Sequence, residues 1–370
     1  MSAPTSAKAT RGGALDALRA LAAIFIVTFH FGDEAPVSLR AVSPFFDRGY
    51  LATDFFLLLS GFVLAKAYGG SLLSGRVGAG QFLLKRLTRV YPAHLIILAV
   101  LVAMVIGAQA VGHHFTNAEQ FQWWAIPFHL LLLHGWGVAA GTWNTQSWTL
   151  SALFACYMAF PALWSLMQRV KAPFAFLAMA IVMVVGGDLL SRTLLGQELF
   201  VLPFRWGLAR AAPLFVAGLA LAGFVQAKPL SASTARALAL GGVAVFAADA
   251  VWNGSNLLAV VATAAVIVGF GAAPSGRRWP GAEWGAKVSF SLFITHAATG
   301  AAYFDGLRPL LLRLHPGPAG QWAIWVGSLA FALGAAVAFH HLIDDPIQRR
   351  LRDGGFRPRP ALRPAPPPSA

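Results

Sequence analysis

Apolar stretches about as long as a bilayer crossing recur almost end to end, separated by short polar or basic connections. They predict helices over residues 15–31, 49–68, 90–110, 148–167, 174–190, 207–226, 237–252, 256–272, 286–304 and 321–343. The apolar runs are continuous and do not alternate, which argues against a β-barrel. A further stretch, Trp123 to Trp136, is short and holds Pro127, His129 and His134. It is too short to cross comfortably and reads as re-entrant or interfacial. The expected fold is therefore all-α, a polytopic transmembrane helical bundle of about ten spans with one re-entrant or interfacial segment. It fills residues 13–350, between a basic tail (1–12) and a Pro/Arg-rich tail (351–370) that reads as disordered. No internal repeat and no separate soluble domain stands out.

Within the first apolar stretch, Arg19 and His30 interrupt an otherwise apolar face. Eleven steps of about 100° make roughly three turns, so the two share one side of the helix, roughly 16 Å apart along its axis. That is about half the hydrocarbon thickness and places Arg19 at a membrane edge and His30 near the middle. Ionisable groups in such positions need a reason to be there.

Composition agrees with the pattern. Of 370 residues, 57% are hydrophobic and 11% charged, against about 25% charged in a soluble domain. A soluble enzyme and a nucleic-acid binder are thereby excluded. The net charge of +14 follows from where the basic residues lie. With the N-terminus in the cytoplasm, ten crossings put Arg76, Lys85, Arg86, Arg89, Arg169, Lys171, Lys228, Arg236, Arg277, Arg278, Arg349, Arg350 and Arg352 inside. The opposite loops hold fewer, chiefly Arg40, Arg48, Arg192, Arg205, Arg308 and Arg313. The C-terminus is then cytoplasmic too. No cleavable signal peptide is apparent, because the first run lacks a convincing small-residue cleavage site. The one cysteine, Cys156, lies in an apolar run and reads as a small buried residue.

Several groups could carry chemistry. His30 can move protons near neutral pH, or can simply hydrogen-bond to a neighbouring helix. Arg86 and Arg89, spaced i,i+3 before Val90-Tyr91-Pro92, form a fork suited to phosphate, with ordinary membrane anchoring as the alternative. Asp54 lies in an apolar span and needs a partner, either His30 or an arginine on a neighbouring helix. Ser60-Gly61 reads as a site of close helix approach. Ser147-Trp148-Thr149-Leu150-Ser151 follows a stretch rich in Trp, Thr and Asn. It either lines a substrate mouth, through Trp148 and Ser151, or belongs to a tryptophan belt. His94, His113, His114 and His315 lie at edges or loops and read as solvent-facing. The His113-His114 pair has no carboxylates at ligand spacing, so no metal site is expected.

Taken in order, these motifs resemble the integral membrane acyltransferase-3 family. They are Arg19-x10-His30, Asp54-Phe-Phe-(x)3-Ser60-Gly-Phe62, Arg86-x-x-Arg89 before Tyr-Pro, and Ser147-Trp-Thr-Leu-Ser151. Two later blocks are Ser289-Phe-Ser-Leu-Phe-Ile-Thr-His296 and His341-Leu-Ile-Asp-Asp-Pro346. The resemblance implies about ten spans and transfer of acetyl or other acyl groups from acyl-CoA, a co-substrate. Its acceptors are hydroxyls on surface glycans such as O-antigen, exopolysaccharide or Nod factor, or on macrolides, and the implied location is the bacterial inner membrane. By resemblance His30 is the essential histidine, Arg19 its basic partner, Arg86 and Arg89 the donor-associated pair, and His296 a residue lining the site. Two positions depart from the family pattern: Leu153 replaces a usual Glu, and Asp344 stands for a late Glu.

The resulting expectation is a membrane O-acyltransferase. Arg19, Arg86 and Arg89 grip the phosphates of acyl-CoA, His30 acts as general base, and Asp54 orients the imidazole. A rival reading makes His30, Asp54, Asp188 and Asp249 a proton relay in a transporter, although repeated halves are missing; a third, opened by Leu153, is an inactive relative that only exports or scaffolds a glycan.

Overall fold

A computed structural model of the protein describes residues 13–112, 121–138, 143–272 and 278–353. The His113-His114 pair, the tail 1–12 and most of the C-terminal tail lie outside the described residues. Ten main helices follow the apolar stretches. They are α1 (Ala14–Phe31), α2 (Leu51–Leu73), α3 (Ala79–Ala110) and α4 (Trp148–Met167). Helix α5 (Pro173–Ile181) runs through a wide π turn, Val182–Gly186, into Gly187–Leu195. Then come α6 (Gly207–Ala227), α7 (Ala232–Val251), α8 (Asn256–Ala272), α9 (Ala282–Ala301) and α10 (Pro318–Phe339). A second π turn, His340–Asp344, leads into a short polar helix, α11 (Asp345–Asp353). No strand occurs among the described residues.

Eight of these helical stretches are long and apolar enough to cross a membrane. Helix α8, with 17 residues, is shorter, and α9 dilutes its apolar residues with Glu283, Lys287 and His296. Both nevertheless pack inside the same bundle, α8 against α7 and α2, α9 between α1 and α10. Helix α3 begins at Ala79, eleven residues before the expected position 90, so Arg86 and Arg89 lie inside it. The segment from Trp123 forms short turns, Trp123–Ala125 and Ile126–Leu130, and no continuous span, as its length requires.

Contacts define two ends of the bundle. At the basic end Arg86 meets Tyr68, Gln348 meets the carbonyls of Thr88 and Arg89, and Trp284 meets His341. At the far end Arg48 reaches Gly254 and Asn256, and the Trp325 indole donates to the last carbonyl of α1, Phe31 O, at 2.8 Å. Helix α6 is the hub, packed against α2, α4 and α5.

The α2–α6 crossing depends on two glycines. A Cβ on Gly61 would collide with the Phe215 carbonyl, and one on Gly218 with the Leu58 carbonyl. Small residues let helix backbones approach closely, which is how helices associate where no water drives them together. Gly61→Leu is expected to lower stability by about 1–3 kcal/mol or more. The loss is read as a lower midpoint of thermal unfolding in detergent; an unchanged midpoint would contradict the close crossing.

Candidate active site

His30 is the penultimate residue of α1, which stops at Phe31. It therefore stands near the far end of the helix, just before the turn Gly32–Glu34. It stacks on His296 of α9, ring centroids 5.2 Å apart and planes 29° from parallel. The two rings differ in access: His30 is exposed, and His296 behind it is wholly buried. His296 Nδ1 lies 2.8 Å from Phe293 O and 3.3 Å from Leu292 O. Carbonyls only accept, so Nδ1 carries the proton and Nε2 presents a lone pair. That buried Nε2 has no partner.

Asp54 does not orient His30. Arg210 of α6 holds both its oxygens, Nε to Oδ1 and Nη2 to Oδ2, each at 2.8 Å. Both residues are buried. Of the two expected partners, the arginine on a neighbouring helix is the one present. The Arg210 guanidinium also lies 5.6 Å from the centre of the Trp148 ring, and Trp148 in turn packs against Gly207. Trp148 thus supports the Asp54–Arg210 pair. Arg210 was absent from the expected set, yet a lone arginine inside Gly207–Ala227 was a readable signal.

The three donor candidates lie at the basic end with different partners. Arg19 pairs with Asp16, one turn earlier on α1, at 3.1 Å. Arg86 donates to the Tyr68 hydroxyl at 2.8 Å and stacks on its ring, while its buried Nε is unspent. Arg89 turns away from both, to Asp344 at 3.0 Å and the face of Phe290. His340 lies 3.5 Å from the same carboxylate. The i,i+3 fork is therefore divided: Arg86 belongs to the α2 side, and Arg89 ties α3 to the turn before α11.

Ser151 does not line a mouth. Its hydroxyl donates to Leu132 O at 2.6 Å and accepts from Gly135 N at 3.0 Å, and it has no exposed surface. It bolts the re-entrant segment to α4. Leu132 needs the bolt, because its φ of +55° is unfavourable for a branched side chain. His94 also departs from expectation. It is wholly buried, bonded to His129 O at 2.9 Å and stacked with His129 and His134. His315 is exposed as expected. Cys156 and Leu153 both join the apolar core. Among the described residues no cluster of His, Cys, Asp or Glu could hold a metal.

The carboxylates of the proposed proton relay each have local partners. Asp54 has Arg210, Asp188 has Arg192 and Leu199 N, and Asp249 has Ser255 N with Arg48 at 3.9 Å. None of these partners is His30.

The chain matches the model of an acyltransferase domain over residues 13–341. It is 40% identical over 102 residues to "Protein 2 in picA locus" of Rhizobium radiobacter, covering 26% of this chain and 48% of that protein. It is 32% identical over 126 residues to "Acyltransferase MdmB" of Streptomyces mycarofaciens, covering 33% of this chain and 30% of that protein. The matches thus span about half or less of the relatives' own lengths. No solved structure matches. With the family match running from the start of α1 to the turn after α10, over a bundle with eight helices long and apolar enough to cross a membrane, the chain belongs to the acyltransferase-3 family.

Proposed function

We propose that the protein moves an acyl group, acetyl in the simplest case, from acyl-CoA to a hydroxyl of a surface glycan or lipid-linked saccharide. The membrane is the bacterial inner membrane, with both termini and the basic end in the cytoplasm. The carrying observation is the polarity of α1: a guanidinium near its foot, and near its head an accessible imidazole backed by a second one. Arg19 and Arg86 hold the phosphates of the donor through charge-assisted hydrogen bonds. The thioester extends to the far end, where the acceptor arrives.

There His30 removes the hydroxyl proton as the oxygen attacks the thioester carbonyl. The C–S bond breaks, and the leaving thiolate recovers that proton from the imidazolium. General base catalysis of this kind typically contributes about 10²–10⁴-fold, and holding both reactants in place contributes more. The buried His296 ring stacked behind His30 holds the imidazole in place. The local pairing of Asp54, Asp188 and Asp249 favours transfer over proton translocation.

Arg86→Ala is expected to weaken binding of coenzyme A to the purified protein by about tenfold or more, the loss of a charge-assisted contact. Arg89→Ala, which frees buried Asp344, is expected to lower thermal stability more than donor affinity. Equal and unchanged affinities in both variants would refute the phosphate-holding role. Mass spectrometry of surface glycans from cells with and without the protein identifies the acceptor; identical acylation in the two would refute a glycan substrate.

A further inference from the structure

One face of α2 connects the two ends of the bundle. Around its middle, Leu57, Leu58, Leu59, Gly61 and Phe62 are buried, while Phe56, Ser60 and Val63 keep accessible surface. Those three positions, at i, i+4 and i+7, share one side of the helix. At its head, Phe56 lies 6.2 Å from Phe293, which is 6.1 Å from His296. At its foot stands Tyr68, the partner of Arg86. Midway, the Ser60 hydroxyl meets the Tyr157 hydroxyl of α4 at 3.3 Å. Tyr157 also keeps accessible surface and lies within electrostatic reach of both Arg86 and Arg19.

The helical rise gives the spacing. Measured along their own helices from the basic end, Arg19 and Arg86 stand roughly 8–10 Å in, Tyr157 and Ser60 roughly 15–20 Å, and His296 and His30 roughly 21–24 Å. The hydroxyl pair thus falls between cations and imidazoles. The pair bridges α2 and α4, on a different side of α2 from the Gly61 crossing with α6. Each can both donate and accept, so the pair can bond an amide N–H and an amide C=O.

We propose that Ser60 and Tyr157 form the resting place of the donor's pantetheine arm, hydrogen-bonding one of its amides so that the thioester stops beside His30. This rests on acyl-CoA being the donor. It makes the pair a binding site for the arm, separate from the phosphate grip.

The test compares two probes on the full chain in detergent or nanodiscs: coenzyme A, and adenosine 3′,5′-bisphosphate, which has the phosphates and no arm. Tyr157→Phe and Ser60→Ala are each expected to weaken coenzyme A by about 5–10-fold, one or two lost hydrogen bonds, and to leave the bisphosphate unchanged. Arg86→Ala is expected to weaken both probes. If Tyr157→Phe weakens both probes equally, the pair serves the guanidiniums and the proposal is overturned. Unchanged coenzyme A binding in both hydroxyl variants overturns it as well. If Arg86→Ala is silent while Tyr157→Phe weakens coenzyme A, the arm site stands and the phosphate assignment falls. If the wild-type chain binds neither probe, the donor reading and the arm site fall together.

Discussion

His30→Ala is expected to lower acyl transfer by at least about 10²–10⁴-fold, the usual worth of a general base, while the protein inserts in normal amount. The two halves of that expectation have different grounds. Chemically, the other candidate bases are engaged or covered: the His296 ring is wholly buried behind His30, Asp54 is held by Arg210, and the exposed carboxylates of Asp33 and Glu34 on the turn after α1 pair with Arg40 and Arg308. Structurally, His30 is exposed and its described contacts are ring contacts, with Phe29 and His296. Truncating such a side chain disturbs little packing, unlike a core deletion. The readout is thiol release from acyl-CoA by purified protein in the presence of acceptor, with thermal unfolding as the control. Retention of a tenth or more of wild-type transfer would remove His30 from the mechanism.

The largest stability effect is expected at Asp54 and Arg210. Breaking a buried ion pair from one side leaves a desolvated charge, at a cost of about 3–5 kcal/mol. Asp54→Ala and Arg210→Ala should each lose about that much, and the double variant should lose clearly less than the sum, because neither charge remains stranded. A double-mutant cycle on unfolding in detergent measures the coupling. The same variants decide what Asp54 does. If Asp54→Ala abolishes transfer with unchanged stability, the carboxylate takes part in the reaction. If the double variant recovers both stability and transfer, its role is to pin α2 to α6 below Trp148.

The sequence pattern located the helices well and their neighbours poorly, for one physical reason. Periodicity reports which side chains share a face of one helix, and so Arg19 and His30 could be paired across eleven residues of α1. It carries no information on which helix lies opposite. Asp54 visibly needed a partner, but Arg210 is 156 residues away, on a helix whose position is set by glycine contacts such as Gly61 with Phe215. Arg86 and Arg89 look equivalent at i,i+3, and only the return of the chain at Asp344, 255 residues later, separates their roles. His94 read as solvent-facing because it lies near an edge of an apolar run; the histidines that cover it come from the re-entrant segment.

Much of the re-entrant segment's anchoring runs through its main chain, beside the side-chain contacts of His129, His134 and Trp136. Ser151 grips the Leu132 carbonyl and the Gly135 amide, Tyr91 the Leu130 carbonyl and His94 the His129 carbonyl, while Gly135 O accepts from Leu208 N. Trp123, Trp124, Leu130 and Leu131, by contrast, point outward. Fastening through peptide groups is indifferent to the identity of those outward residues. The outward face of this strap is therefore free to vary between relatives while the scaffold below stays as it is.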